Sequence, residues 1–348
     1  MRDHVGRRAL AEVDFDARTA YDFVVSLMVL TGNEAELLPE DVAWLERQRK
    51  ALPEAARQDL EECFGESALG AFGGISSIIV ERPELRDAAD FAEAVGQLSD
   101  RELARYIVRD VLCYAGAEEL ADSVVDGERG ALDMAHAALD DKQRAIVDSF
   151  MGDMSGKIGR LRRSIEAWLP VYREIEPRVA DMLERDLLAR RSDRHALEPV
   201  ELIERTTGGL RWLPEANARR VIMAPTYFGR PFNHIFQGSD WRLFVYPLTE
   251  DAMGPTDSSV PPQAAVRLYR ALGDSTRMRV LRLLSDRDWY LTELAQQLEL
   301  SKPTMKHHLA LLRAAGLVTV TDEGSMTYYS LRRDRVREAG LELQRYLG

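Results

Sequence analysis

The sequence SKPTMKHHLALLR, residues 301–313, concentrates basic and hydrogen-bonding side chains at short spacing. Lys302, Lys306 and Arg313 carry cationic donors, His307 and His308 carry imidazoles, and Ser301 and Thr304 carry hydroxyls. Such groups donate to the phosphates and base edges of a nucleic acid, while paired histidines also suggest metal ligation. Helical geometry separates the two. Met305, Leu309 and Leu312 fall on one helix side at spacings of four and three, which predicts a core face. Lys302, Lys306, Ala310 and Arg313 fall on another, with His307 beside them. Adjacent histidines point about 100° apart, a poor geometry for joint chelation. The basic face lies near the helix N-terminus, where free N–H groups themselves favour phosphate. The competing reading is a merely solvated charged face, so the surrounding elements carry weight.

No other chemistry competes. The chain lacks Gly-x-Ser-x-Gly, His-Glu-x-x-His and Cys-x-x-Cys. GDMSGKIGRL has three residues between Gly152 and Gly156, no Ser or Thr after Lys157, and a helical context ahead of it. It is not a phosphate loop. His136, His195 and His234 are far apart, and each reads as a hydrogen-bonded or surface histidine. No catalytic residue, metal site or cofactor is expected.

The elements around the basic face are legible. PQAAVRLYRALGDSTRMRVLRLLSD predicts a helix ending at Gly273, an N-cap at Asp274 and a second helix burying Val280, Leu281, Leu283 and Leu284. YLTELAQQLEL reads as a short helix capped by Thr292. Ser301 caps the next, with Pro303 in its first turn, where the missing N–H costs nothing. Two short helices across a short turn form a helix-turn-helix, whose second helix enters the major groove. Strands over Leu317–Thr321 and Thr327–Leu331 around EGS form a hairpin wing, and RRDRVREAGLELQRYLG closes with an amphipathic helix exposing Val336, Leu341 and Leu343 for burial.

The phrases ALGDSTRMRVLRLL, LTELAQQLELSKPTMKHHLALLRAAGLV and YYSL resemble the ArsR-type winged-helix regulators over about residues 262–347, a quarter of the chain. The resemblance implies a homodimer joined through the first and last helices of the module. It also implies a two-fold-related double-stranded DNA operator, usually held by a repressor until a signal releases it. The resemblance places Lys302, Thr304, Lys306 and His307 where the family touches DNA. With Thr292, Ser301 and Arg313 they form the candidate DNA-binding set. Tyr328 and Tyr329 on the returning wing strand read as structural. Two departures matter. Asp322, Glu323 and Ser325 stand where the family often has basic wing residues, and carboxylates repel phosphate. Metal-sensing relatives carry a Cys-x-Cys on the helix matching TELAQQL, or His and acidic ligands on the last helix. This chain has no Cys after Cys113 and no His after His308. A non-metal signal is expected.

Charge is divided along the chain. Residues 261–348 hold 14 Lys+Arg and 10 Asp+Glu, net +4; the preceding 260 hold 32 and 48, net -16. A polyanion would meet the C-terminal part and be repelled by the rest, so residues 261–348 alone are expected to bind nonspecific DNA at least as tightly as the full chain if they still dimerise. The longest apolar runs fall short of the ~20 residues of a membrane helix, and MRDHVGRRAL has no apolar stretch behind its charges, unlike a secretory signal. Cys63 and Cys113 read as two buried thiols in a reducing compartment. These features predict a cytoplasmic protein with no membrane partner.

The expected fold class is α+β. Residues 1–246 form a mainly helical effector or oligomerisation domain with a small antiparallel sheet, 247–261 a linker, and 262–348 the winged helix. In the first part, Pro39, Pro53 and Pro83 each mark a helix start, and Pro170 and Pro177 kink or break the long helical stretch 155–191. After residue 208 short apolar runs with Gly, Pro and Asn predict the sheet, joined by LAEVDFD. Its aromatics Tyr227, Phe228, Phe232, Phe236, Trp241, Phe244 and Tyr246 read either as core or as a pocket. In the pocket reading Tyr227, Phe232, His234 and Trp241 are the candidate ligand residues, and Arg230, His234 or Arg242 orients a small effector. Three roles stay open for this part: sensor, oligomerisation scaffold, or enzyme with a DNA-binding tail. That segment, ahead of a Pro/Ser linker, also resembles regulators with a long N-terminal extension, from which no ligand transfers.

Overall fold

Prolines or capping side chains mark several of the helix starts. The computed structural model describes residues 12–29, 36–65, 71–213, 215, 217–254, 261–323 and 326–347. After α1 (Thr19–Val29), α2 (Pro39–Ala51) opens on Pro39, and α3 (Glu54–Phe64) directly follows Pro53. Next come α4 (Ala71–Glu81) and α5 (Ala88–Gln97). Asp87 caps α5 by accepting the Asp90 N–H at 2.9 Å, so Pro83 lies in the preceding turn rather than opening a helix. A side-chain acceptor there outranks proline's fixed φ. The α6 helix (Asp100–Cys113) begins with a reciprocal Ser99–Glu102 capping box. It is followed by α7 (Ala121–Val125), α8 (Ala131–Ala138) and α9 (Asp141–Gly152).

The α10 helix runs unbroken over Met154–Ala189, so neither Pro170 nor Pro177 ends it. An interior proline costs about 3 kcal/mol. Along the same helix Ile158, Leu161, Ile165, Trp168, Tyr172, Ile175, Val179, Met182 and Leu183 are buried. Full burial of each such side chain is worth about 1.5–3 kcal/mol, which outweighs two missing donors.

The strands in the first part of the chain are β1 (Glu12–Phe15), β2 (Leu210–Arg211), β3 (Arg220–Thr226), β4 (His234–Gln237) and β5 (Trp241–Pro247). Four of them form one sheet in the order β1-β3-β5-β4. The sheet expected to be antiparallel is mixed. β3 and β5 run parallel, Arg220 facing Trp241 through Thr226 facing Pro247, and β4 returns antiparallel on β5. Val221–Thr226 and Trp241–Tyr246 are buried at every position, as parallel strands covered on both faces require. Their unalternated apolar runs already carried that signal.

By contacts the described residues group into two units. One contains Val13–Leu187 and Asn217–Leu248. At its centre the Asp22 carboxylate, fully buried, accepts the Thr226 hydroxyl at 2.5 Å, the Tyr172 hydroxyl at 2.9 Å, and the Tyr227 and Phe228 N–H groups at 2.7 and 3.0 Å. Burial raises the Asp22 pKa and these hydrogen bonds oppose it. The network ties α1 and α10 to the end of β3.

The other unit contains Leu188–Ala216 and Thr249–Gly348. It holds α11 (Arg191–Ala196), α12 (Pro199–Thr206), β2, and a 3-10 turn Asp251–Met253 within the expected linker. Linker residues 255–260 lie outside the described residues. Then follow α13 (Gln263–Leu272), α14 (Ser275–Leu284), β6 (Trp289–Tyr290), α15 (Leu291–Gln297), α16 (Lys302–Ala314), β7 (Val318–Glu323), β8 (Met326–Leu331) and α17 (Arg333–Leu347). The second sheet has the order β2-β7-β8-β6. Among the described residues no helix is long and apolar enough to cross a membrane.

Candidate nucleic-acid interface

The basic face is built from its caps outward. Asp274 starts α14 by accepting the Arg277 N–H at 2.8 Å, and that backbone bond holds its carboxyl below the ordinary carboxylate range. The α14 helix buries Val280, Leu281 and Leu284, leaving Leu283 half-buried. Thr292, expected to cap α15, lies inside its first turn and is exposed. The start is formed instead by Tyr290, whose N–H goes to Glu293 at 3.2 Å.

The turn from α15 to α16 is closed by backbone bonds, Leu300 N–H to Ala295 C=O at 2.9 Å and Glu299 N–H to Gln296 C=O at 3.2 Å. Glu299 adopts φ +57, the left-handed conformation that ends a helix. Ser301 then caps α16, its hydroxyl accepting the Thr304 N–H at 3.2 Å. Behind the helix Met305, Leu309 and Leu312 are each 0% exposed against Leu268, Leu294 and Leu317, equally enclosed.

This arrangement brings Ser301, Lys302, Thr304, Lys306 and His307 together, all exposed, at the N-terminal end of α16. Among the described residues neither lysine forms an ion pair. Ser301 and Thr304 are occupied with each other, their hydroxyls 2.7 Å apart, so capping is their structural work. Arg313 is half-buried near the other end of the helix, about 16 Å along the axis from Lys302 at the usual rise. His308 turns inward: its side chain is 15% exposed, with Nδ1 3.9 Å from Asp274 Oδ1. Burial lowers its pKa, and Asp274 opposes that shift only in part. The two histidine rings are 6.1 Å apart and tilted by 63°.

One cation escaped sequence reading. Arg287 lies 3.7 Å over the Trp289 ring and 3.2 Å from Glu293, beside the start of α15. The signal was RDW, a cation two residues ahead of an aromatic at a strand start. On the wing, Tyr290 and Tyr328 face each other across β6 and β8 and join their hydroxyls, while Tyr329 is buried. Ser325 lies outside the described residues.

The other candidate set is mostly packed. Tyr227 is 0% exposed and donates to Asp41, while the Leu38 N–H donates to it at 3.0 Å. Trp241 is buried against Gly238, and Arg242 donates to the Gly238 and Trp241 carbonyls at 2.7 Å each. Phe232 and His234 are half-buried. Phe228, Phe236, Phe244 and Tyr246 are core. Cys63 is buried and Cys113 half-buried, both free; burial pushes each thiol up to about 11, which keeps them as unreactive thiols.

Residues 272–321 match a helix-turn-helix domain family. The chain is 34% identical over 77 residues to an uncharacterised HTH-type transcriptional regulator of Methanocaldococcus jannaschii, a match covering 22% of this chain and 86% of that protein. It is 40% identical over 73 residues to the HTH-type transcriptional regulator KmtR of Mycobacterium tuberculosis, covering 21% and 56%. With the HTH-type transcriptional regulator CmtR of the same species it shares 41% over 80 residues, covering 23% and 68%. The chain thus spans most of one relative and little more than half of another. These matches occupy about a fifth of its own length.

Proposed function

The chain belongs, through its C-terminal module, to the ArsR-type winged helix-turn-helix transcriptional regulators, and on that premise we propose that it is a cytoplasmic repressor binding a two-fold-related DNA operator as a homodimer. The observation that carries the reading is the exposed cluster Lys302, Lys306 and His307 at the capped N-terminus of a helix with an apolar back. Positive side chains and the positive helix end both favour phosphate, and the exposed side chains reach base edges. Thr292, exposed in the first turn of α15, is assigned to the same DNA-binding set.

Dimerisation is supported by an apolar surface on the first and last helices of the module. Ala265, Val266, Tyr269, Leu343 and Tyr346 line a groove of about 450 Å³ between α13 and α17. Val336, Leu341, Leu343 and Tyr346 are each at least 40% exposed, and exposed apolar side chains gathered beside a groove favour a protein partner.

The regulator role, rather than catalysis, fits the absence of a catalytic motif in the sequence. The remaining residues are assigned the sensing of a non-metal small molecule or partner protein. Selection of duplexes from a random library by the full chain tests the DNA reading. Wild type should enrich a two-fold-related sequence, and Lys306→Ala with His307→Ala should weaken its binding while the circular dichroism spectrum is kept. Enrichment of no sequence, or unchanged affinity in the double variant, sinks the assignment of α16.

A further inference from the structure

The outer edge of a β-hairpin leaves backbone donors and acceptors open, and in this wing that edge is filled from far upstream in the sequence. β2 lies parallel to β7, with Leu210 opposite Val320 and Arg211 opposite Thr321. The Val320 N–H donates to Gly209 C=O at 3.0 Å. Arg332, directly after β8, donates through Nη1 to Gly208 C=O at 2.8 Å. Gly209 has φ +124, and a Cβ there would lie 3.0 Å from the Val318 carbonyl, so only glycine brings this strand so close. Thr207 stiffens the approach, its hydroxyl donating to Ile203 C=O at 2.7 Å and accepting the Leu210 N–H at 3.1 Å. Leu202, Ile203, Leu210 and Trp212 are buried. Residues 199–212 are therefore a built clasp on the wing.

The clasp is also an insertion. The chain leaves the larger unit at Leu187, contributes residues 188–216 to the winged-helix unit, and resumes the larger unit at Asn217. Both ends of the clasp are continuous with the part of the chain that the winged-helix family does not account for. A two-residue parallel pairing is short and marginal by itself, so a modest movement of its ends is enough to shift it between docked and released forms.

We infer that residues 199–212 are a regulatory clasp: docked on β7 they hold the wing in its DNA-binding form, and their release is the step by which the remainder of the chain frees the operator. The inference rests on the DNA reading above. It assigns the coupling to Gly209, Leu210 and Arg332 rather than to any residue of the helix-turn-helix. Residues 261–348 alone lack the fourth strand, so on this inference they should bind the selected duplex more weakly than the full chain, the opposite of what charge alone predicts.

The test uses the full chain. Gly209→Val forces a β-branched residue into the left-handed region and against Val318, and Arg332→Ala removes the second tether. Amide hydrogen exchange over residues 317–331 is compared with that over residues 302–314, together with affinity for the duplex selected by wild type. Docking predicts roughly 10-fold faster exchange in β7 with α16 unchanged, and at least about a fivefold loss of affinity. Unchanged β7 exchange in both variants overturns the clasp; faster exchange with unchanged affinity overturns its role in DNA binding. Should Gly209→Val fail to fold, Arg332→Ala carries the same two criteria. Should wild type select no duplex, the DNA reading fails and with it the regulatory role, while the exchange comparison still decides whether the clasp holds the wing.

Discussion

The hydroxyl of Ser301 accepts the Thr304 backbone N–H at 3.2 Å and lies 2.7 Å from the Thr304 hydroxyl. Both side chains are thus engaged in starting the helix that presents the basic cluster. Ser301→Ala should cost about 1 kcal/mol in denaturant unfolding, the usual worth of an N-cap. Ser301→Asp separates capping from DNA contact. A carboxylate caps as well as a hydroxyl and suits the helix dipole, so stability should be kept. The same charge repels a phosphate at this end, so duplex affinity should fall. Wild-type affinity in Ser301→Asp would mean that the α16 N-terminus does not face the backbone.

Lys302 is exposed and forms no ion pair among the described residues. Lys302→Ala should therefore leave the unfolding midpoint nearly unchanged, within about 0.5 kcal/mol. If Lys302 meets a phosphate, the slope of log affinity against log salt should become shallower by about 0.9. Titrations of the selected duplex at several salt concentrations measure the slope directly; an unaltered slope removes Lys302 from the interface.

The winged helix was legible because each of its signals is local. Ser301 and Asp274 cap the residues three positions on, and Met305, Leu309 and Leu312 repeat at helical spacing. What sequence reading missed depends on distant partners. β2 was read with the aromatic strands that follow it, but Leu210 pairs with Val320, 110 residues away, and nothing in TTGGLRW names that partner. Only the glycine pair hinted at a close backbone approach. The parallel β3–β5 pairing was within reach, since both strands lack the alternation that a half-exposed antiparallel strand needs. The persistence of α10 through two prolines was not, because the burial that outweighs them comes from tertiary packing.

Glu299, between α15 and α16, has φ +57, where a side chain costs roughly 1–2 kcal/mol that glycine avoids. Glycine also loses more chain entropy on folding, by about 0.5–1 kcal/mol. The difference favours Glu299→Gly by roughly 0.5–1 kcal/mol in equilibrium unfolding. A β-branched residue, Glu299→Val, should be destabilising at the same position. If Glu299→Gly loses stability, the left-handed turn between the two helices is not the conformation in solution.

Asp110 on α6 is 7% exposed, and its Oδ1 has no hydrogen-bond partner among the described residues. It faces Gly73 of α4 so closely that a Cβ there would clash with the Asp110 carboxylate. Burial pushes the carboxyl up to about 7, and Arg109 opposes the shift only in part. The unfolded chain ionises this group near pH ~3.9. Between that value and about 7 the unfolded state releases a proton that the folded state keeps. Its stabilising effect is therefore complete below about pH 4, is lost as pH rises through about 7, and is constant above. The loss is on the order of 4 kcal/mol at 1.36 kcal/mol per pKa unit. Asp110→Asn cannot ionise and should not show it. At pH 8 the variant should be more stable than wild type by a few kcal/mol, and near pH 4 the two should unfold at similar denaturant concentrations. Parallel pH profiles for both chains would mean that Asp110 finds a charge partner or water in solution and ionises within the fold.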